Sequence, residues 1–211
     1  MTILRFYNQN PIRSLLKQNI MHDIEPFFGW EFNYDSNADE RSPFYQAEYD
    51  TNQYTNAIYG YYIHPYWDFI GSETLYVKVL MADYHRNFVI IEFLGEWNDA
   101  LHNDIMHLKR NVIDYFTGEG ITHFILIGEN ILNFHGSDDE YYEEWFEDVE
   151  NGWIVLLNFR EFVLREMNAY NLDSYLIWGG ILDELDNWRT TDPRKLFEFI
   201  RKEVEKRIAL F

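Results

Sequence analysis

No cysteine occurs in the 211 residues. That excludes disulfides, thiolate catalysis and cysteine-based zinc or iron–sulfur sites together, and it fits a reducing cytoplasm. Long apolar runs are missing too: none approaches the roughly 20 residues that span a bilayer. The opening residues, Met-Thr-Ile-Leu-Arg-Phe-Tyr, lack a basic segment followed by an apolar stretch. A soluble cytoplasmic protein is therefore expected. Basic residues are scarce, 17 Lys and Arg against 36 Asp and Glu, for a net charge of -19. That charge repels phosphate backbones and anionic head groups, so nucleic acid and membrane are not expected partners, whereas a basic protein is admissible. Also missing are Gly-x-Gly-x-x-Gly, Gly-x-x-x-x-Gly-Lys-Ser/Thr, His-Glu-x-x-His and Gly-x-Ser-x-Gly. Their absence removes the main sequence support for dinucleotide, P-loop, zincin and esterase chemistry, and no cofactor is expected.

Aromatic residues, by contrast, are plentiful: 17 Phe, 16 Tyr and 7 Trp. They argue for a packed body rather than a disordered chain. Residues 11–24 read as a helix capped by Asn10, with Pro11 at its first position. From Phe27 to Gly71 short aromatic pieces alternate with polar turns, which suggests irregular strands and loops. These rings suit an edge cover for the core, a homodimer interface, or a platform for a sugar, ring or peptide. Residues 1–74 are thus expected to form an aromatic-rich N-terminal extension packed on a core of residues 75–211.

Within that core, Leu75 to Ala82 and Phe88 to Leu94 read as an antiparallel hairpin. Asn98 or Asp99 then caps a helix with the stripe Leu101, Ile105, Leu108, Val112 and Phe116, stopped by Gly118. Phe124 to Ile127 is a continuous apolar run, as expected of a strand buried on both faces, with Gly128 and Asn130 ending it. Ser137 and Asp138 are good caps for an acidic helix facing inward through Tyr141, Trp145, Phe146 and Val149, with Gly152 as its stop. Trp153 to Leu157 follows as a strand, about Arg160 to Tyr170 as a helix, and Tyr175 to Trp178 as a further strand. Asp192-Pro193 opens a last helix whose Leu196, Phe199, Ile200, Val204 and Ile208 face inward. This alternation predicts an α/β fold: a mixed, largely parallel sheet carrying an antiparallel hairpin, with helices packed on it.

The order of these elements, over about residues 75–190, resembles the STAS domain of bacterial anti-sigma-factor antagonists. Gly95-Glu96-Trp97-Asn98 looks like the family's Gly-Glu-Leu-Asp. Phe134-His135-Gly136-Ser137-Asp138-Asp139 looks like its Phe-Ile-Asp-Ser-Ser-Gly, with Gly136 in place of the first Asp and Asp138 and Asp139 in place of the second Ser and Gly. The resemblance implies a non-enzymatic regulatory or protein-interaction domain. It puts the partner-binding or switch loop at Ser137, Asp138 and Asp139, and the serine that a partner kinase phosphorylates at Ser137. From the residues alone, Ser137 is equally a helix cap, and the acidic face of Glu140 to Glu150 is equally a solvated surface.

A second expectation comes from the sheet. If it is parallel, its carboxyl ends gather Glu96, Asp99, Glu129, Asn158 and Arg160 where open α/β sheets usually bind ligands. Carboxylates near one another there would serve a small hydrolase or ligand-binding protein. Glu96 and Glu129 are its candidate ligands for a divalent metal such as magnesium. Asp99 and His102, three apart, share a helix face. His102 and His107, five apart, do not.

Overall fold

The computed structural model describes residues 24–50, 52, 54, 57, 58 and 61–209. The helix expected over residues 11–24 lies outside these, except for Ile24, which forms a parallel bridge with Ile63 rather than a helical turn. Strands β1 (Ala57–Ile58) and β2 (Tyr61–Tyr62) pair antiparallel on their own. The main sheet has five strands, in the order β3 (Asp68–Phe69), β4 (Leu75–Asp83), β5 (Phe88–Asn98), β6 (His123–His135) and β7 (Trp153–Leu157). The first two joins are antiparallel and the last two parallel, so the fold is the mixed α/β sheet with a hairpin that the pattern predicts.

Strand side chains alternate between two faces, and each face here builds a core. Val89, Ile91, Phe93, Phe124 and Leu126 pack against Ile105, Leu108, Val112, Phe116, Trp145 and Val163. On the other face Phe88, Ile90, Ile125, Ile127 and Leu157 pack against Trp30, Trp188, Phe197, Ile200 and Val204. Burial on both sides is why Phe124 to Ile127 of β6 and Trp153 to Leu157 of β7 read as unbroken apolar runs. The aromatic segment before Leu75 therefore joins this body through β3 in the sheet, Ile70 in the first core and Trp30 in the second.

Several elements differ from expectation for identifiable reasons. The helix after β5 is broken: α1 (Asp99–His102), then Asn103 in the left-handed region at φ 52°, then α2 (Asp104–Leu108), a π-helical turn (Lys109–Ile113) and α3 (Asp114–Gly118). Asn98 caps α1 as expected, accepting from the Leu101 amide at 3.0 Å. With the helix broken at Asn103, Leu101 does not share the buried stripe of Ile105, Leu108 and Val112 and is 80% exposed. Strand β6 does not end at Gly128 or Asn130 but runs on to His135. Two register shifts against β5 absorb the irregularity, and at Gly128 the Phe159 ring lies so close that no side chain fits.

The acidic helix α4 (Glu140–Asp148) buries Tyr142 and Trp145, with Phe146 outward. It ends before Gly152, whose role is a close approach to the Thr122 carbonyl. Helix α5 (Glu161–Ala169) matches its sequence pattern. Residues Tyr175 to Trp178 are no full strand, since only Ile177 bridges to Val155. Helix α6 (Pro193–Ile208) is capped by Asp192 as the Asp-Pro pair predicts, but Phe197, not Phe199, faces inward. Among the described residues no helix is long and apolar enough to cross a membrane.

Candidate functional site

Beyond His135, β6 leads into the loop of residues 136–139. Ser137 is exposed and makes no hydrogen bond among the described residues, so it does not cap α4. Asp139 occupies the cap position, yet its carboxylate accepts from the Tyr175 hydroxyl at 2.9 Å instead of from the helix. That bond holds the Tyr175 phenol above its usual pKa. Gly136 lets the loop pass against the Tyr170 ring, where a Cβ would clash. Phe146, 46% exposed, lies 6.0 Å from Tyr175 between ring centroids. Glu143 and Glu147 are close enough to act on the same phenol. Acidic and aromatic side chains thus flank the loop that carries Ser137 and Asp138.

The carboxylates expected at the sheet's end do not form one group. Glu96 meets His135 Nε2 at 2.8 Å. Asp99 is buried and accepts from Tyr142 Oη at 2.7 Å, Ile105 N at 2.8 Å and Trp97 Nε1 at 3.1 Å, with no bond to His102. Burial pushes its pKa up to about 7 and these bonds only partly restrain it. Neighbouring Asp104 accepts from the Asn98 amide at 2.7 Å and Thr74 Oγ1 at 3.0 Å, so both carboxylates tie the start of the broken helix to the sheet. Glu129, Asn158 and Arg160 do come together. Glu129 accepts from Arg189 at 2.5 Å, Trp188 Nε1 at 2.6 Å and Asn158 Nδ2 at 2.8 Å, and its backbone carbonyl takes Arg160 Nε at 3.3 Å. Burial raises the Glu129 carboxyl, but these donors overcome it and hold the pKa below the ordinary value.

Glu92 and Lys109 are among the buried ionisable residues that the sequence pattern did not single out. Glu92, 1% exposed, accepts the Phe27 amide at 2.8 Å and Asn130 Nδ2 at 3.5 Å, and stands 3.9 Å from Arg189. Burial pushes it up to about 7. Its signal was a lone carboxylate inside the apolar run from Phe88 to Leu94, which has to find a partner or hold its proton. Lys109, with a wholly buried side chain, places Nζ against Asp114, 2.7 Å from Asp148 and 3.2 Å from Glu144. Its signal was a lysine between Leu108 and Val112 on the inward stripe. Those three carboxylates offer oxygens within 4.8 Å of one another, a spacing a metal ion accepts, but the ammonium of Lys109 already occupies the position.

The Glu92 and Glu129 pair can hold one proton beside one fixed negative charge near neutral pH. Its lone pairs point at protein donors and Phe27 covers it, so the arrangement ties the 27–30 segment and Trp188 to the sheet. No protein family matches the chain, and no curated protein matches it. Among solved structures it is similar to the anti-sigma factor antagonist SpoIIAA in its unphosphorylated form, at 14% identity and a TM-score of 0.38, over 55% of this chain and 98% of that one. It is also similar to the Bacillus cell fate determinant SpoIIAA in the phosphorylated form, at 14% identity and a TM-score of 0.34, over 53% and 97%.

Proposed function

We propose that the chain is a non-enzymatic regulatory domain that binds a protein partner through the Ser137 loop and the outer face of α4. One observation carries this reading. Asp138, Glu140, Glu143 and Glu147 make no ion pair among the described residues, while exposed Phe146 and Tyr170 stand beside them. Elsewhere Lys109, Arg110, Arg189 and Arg194 are matched to carboxylates. Uncompensated charge beside exposed rings suits a partner whose Lys or Arg side chains flank an apolar anchor, with the charge guiding encounter. A phosphoryl group on Ser137 would add about -1.5 to -2 charges to this surface. It would strengthen attachment of a basic partner and repel an acidic one.

Titrating fluorescent peptides that combine Lys and Arg with an aromatic anchor tests the reading. Binding is expected to weaken with salt, to fall about tenfold in the variant Glu143→Gln, Glu147→Gln, and to rise with Ser137→Glu. Affinity indifferent to all three changes and to Phe146→Ala would place the contact elsewhere.

A second reading, a ligand-binding protein or small hydrolase at the carboxyl end of the sheet, has one observation in its favour. Glu92 and Glu129 are displaced in opposite directions, as in an acid and base pair. Glu96 and Glu129 engage different cationic partners, His135 and Arg189, so a metal bridging them requires both contacts to open. Adding magnesium or manganese while following tryptophan fluorescence decides it: a saturable change lost in Glu129→Gln favours this reading, and a flat response removes the metal from it.

A further inference from the structure

Between residues 27–37 and β4 lies a cleft of about 440 Å3 that the Ser137 surface does not involve. Its walls are aromatic. Tyr66 stands nearly perpendicular to Phe28, at 5.4 Å between centroids and 82°, and to Tyr49, at 5.4 Å and 86°. Phe27, Phe28, Trp30, Tyr34, Tyr49 and Tyr66 all line the cleft, so a cation inside meets aromatic rings on more than one side. Phe32 is fully exposed at the rim of the same cleft.

The chain already seats a cation here. Lys78 Nζ lies 4.5 Å from the Tyr49 ring centroid and hydrogen-bonds the Tyr49 hydroxyl at 2.9 Å, and Asp68 balances it at 3.4 Å. The remaining charges that line the cleft are negative: Glu31 and Asp35, both exposed and neither in an ion pair among the described residues. One polar group is left over. Ser36 lines the cleft at 2% exposure, and its hydroxyl has no hydrogen-bond partner among the described residues. A buried hydroxyl left unmatched costs on the order of 1–3 kcal/mol, so a guest that supplies a partner gains from it.

We propose that this cleft binds a small organic cation, an ammonium group bearing methyl or similar apolar substituents, with a hydroxyl or comparable polar function that reaches Ser36. An anion is opposed by Glu31, Asp35 and the net charge of -19. A neutral ring fills the volume but leaves both carboxylates without a counter-charge. A methylated ammonium satisfies the rings, the carboxylates and, through its polar arm, the serine.

The test uses choline, tetramethylammonium and 3,3-dimethylbutan-1-ol, the uncharged carbon counterpart of choline. Each is added to the full chain and its methyl protons are followed by NMR. Both cations are expected to show saturation transfer from the protein and upfield ring-current shifts, with the alcohol about tenfold weaker. Phe32→Ala, at an exposed position that leaves the fold intact, weakens both cations severalfold, and Phe69→Ala, exposed outside the cleft, changes neither. Ser36→Ala weakens choline and spares tetramethylammonium. Equal binding of the alcohol would mark an apolar cleft with no preference for charge. Cation binding unaffected by Phe32→Ala, or no transfer to either cation, would also overturn the proposal.

Discussion

Among the ionisable side chains buried on the two faces of the sheet, Lys109 on one and Glu92 on the other are handled differently. On the face covered by α1 to α5, the Lys109 ammonium is surrounded by Asp114, Glu144 and Asp148, whose own side chains remain a third or more exposed. Burial lowers its pKa, but the hydrogen bonds it donates to Asp114 and Asp148 outweigh that, and it is held above the ordinary value. On the opposite face Glu92 has an amide donor at 2.8 Å, while the nearest cation, Arg189, stands 3.9 Å away and is committed to Glu129. Its pKa climbs instead to about 7. Both side chains are buried, so burial alone does not decide whether a charge survives. The number and distance of opposite charges do, and partners that stay in water keep their own desolvation small.

Substituting each side chain sharpens or breaks this contrast. The largest effect is expected at Glu92. A carboxyl whose folded pKa is raised binds more protons in the native state, so its stabilisation is complete below its unfolded value and is lost as pH rises through about 7. The shift corresponds to about 3 kcal/mol. Urea unfolding at about pH 5 and pH 8 should show the wild type losing that much more than Glu92→Gln across the interval. Parallel profiles would mean that Glu92 stays ionised and that the contrast with Lys109 is false.

Next comes Lys109→Met. It leaves three carboxylates around an apolar side chain, with Arg110 still bridging Asp114 and Glu144. Since those acids keep part of their hydration, the expected loss is about 2 kcal/mol, below the figure for a fully buried pair. No loss would reduce the cage to an ordinary surface pair. Smallest is Arg189→Ala, expected to cost about 1 kcal/mol at neutral pH because the guanidinium is half-exposed. Glu129 is held low, so this contribution is present above its unfolded pKa and disappears as pH falls. The same change should raise Glu92 further, visible in its carboxyl NMR titration, because Arg189 is one of the groups restraining it.

Strands and their order were legible because apolar runs and hairpin chemistry are local signals. Leu75 to Ala82, Phe88 to Leu94, Phe124 to Ile127 and Trp153 to Leu157 all fall in observed strands. What failed depended on neighbours. Gly128 and Asn130 look like a stop, yet β5 is present to pair with the chain beyond them. Ser137 is a good cap in isolation, but the bond from Tyr175 to Asp139, 36 residues apart in the chain, helps fix the loop in another geometry. Of the carboxylates expected at the sheet's end, Glu129 met Asn158 and Arg160 as expected. Asp99 was drawn inward by Tyr142, from an element whose register the sequence does not reveal. The density of aromatic residues before Gly71 was plain, while the cleft they enclose emerges only when 27–37 folds over β4.

Strand β6 is paired on both sides only as far as Ile127, where β7 ends at Leu157; from there to His135 it pairs with β5 alone, closing at Asn98. The Ser137 loop thus hangs on a two-stranded parallel arm rooted in the middle of the sheet. A pull on that loop along β6 loads the arm's ladder in shear, with its hydrogen bonds sharing the force rather than opening in turn. Tension applied there would reach Asn130 and its partner Leu94 before the stretch of β6 that β7 pairs.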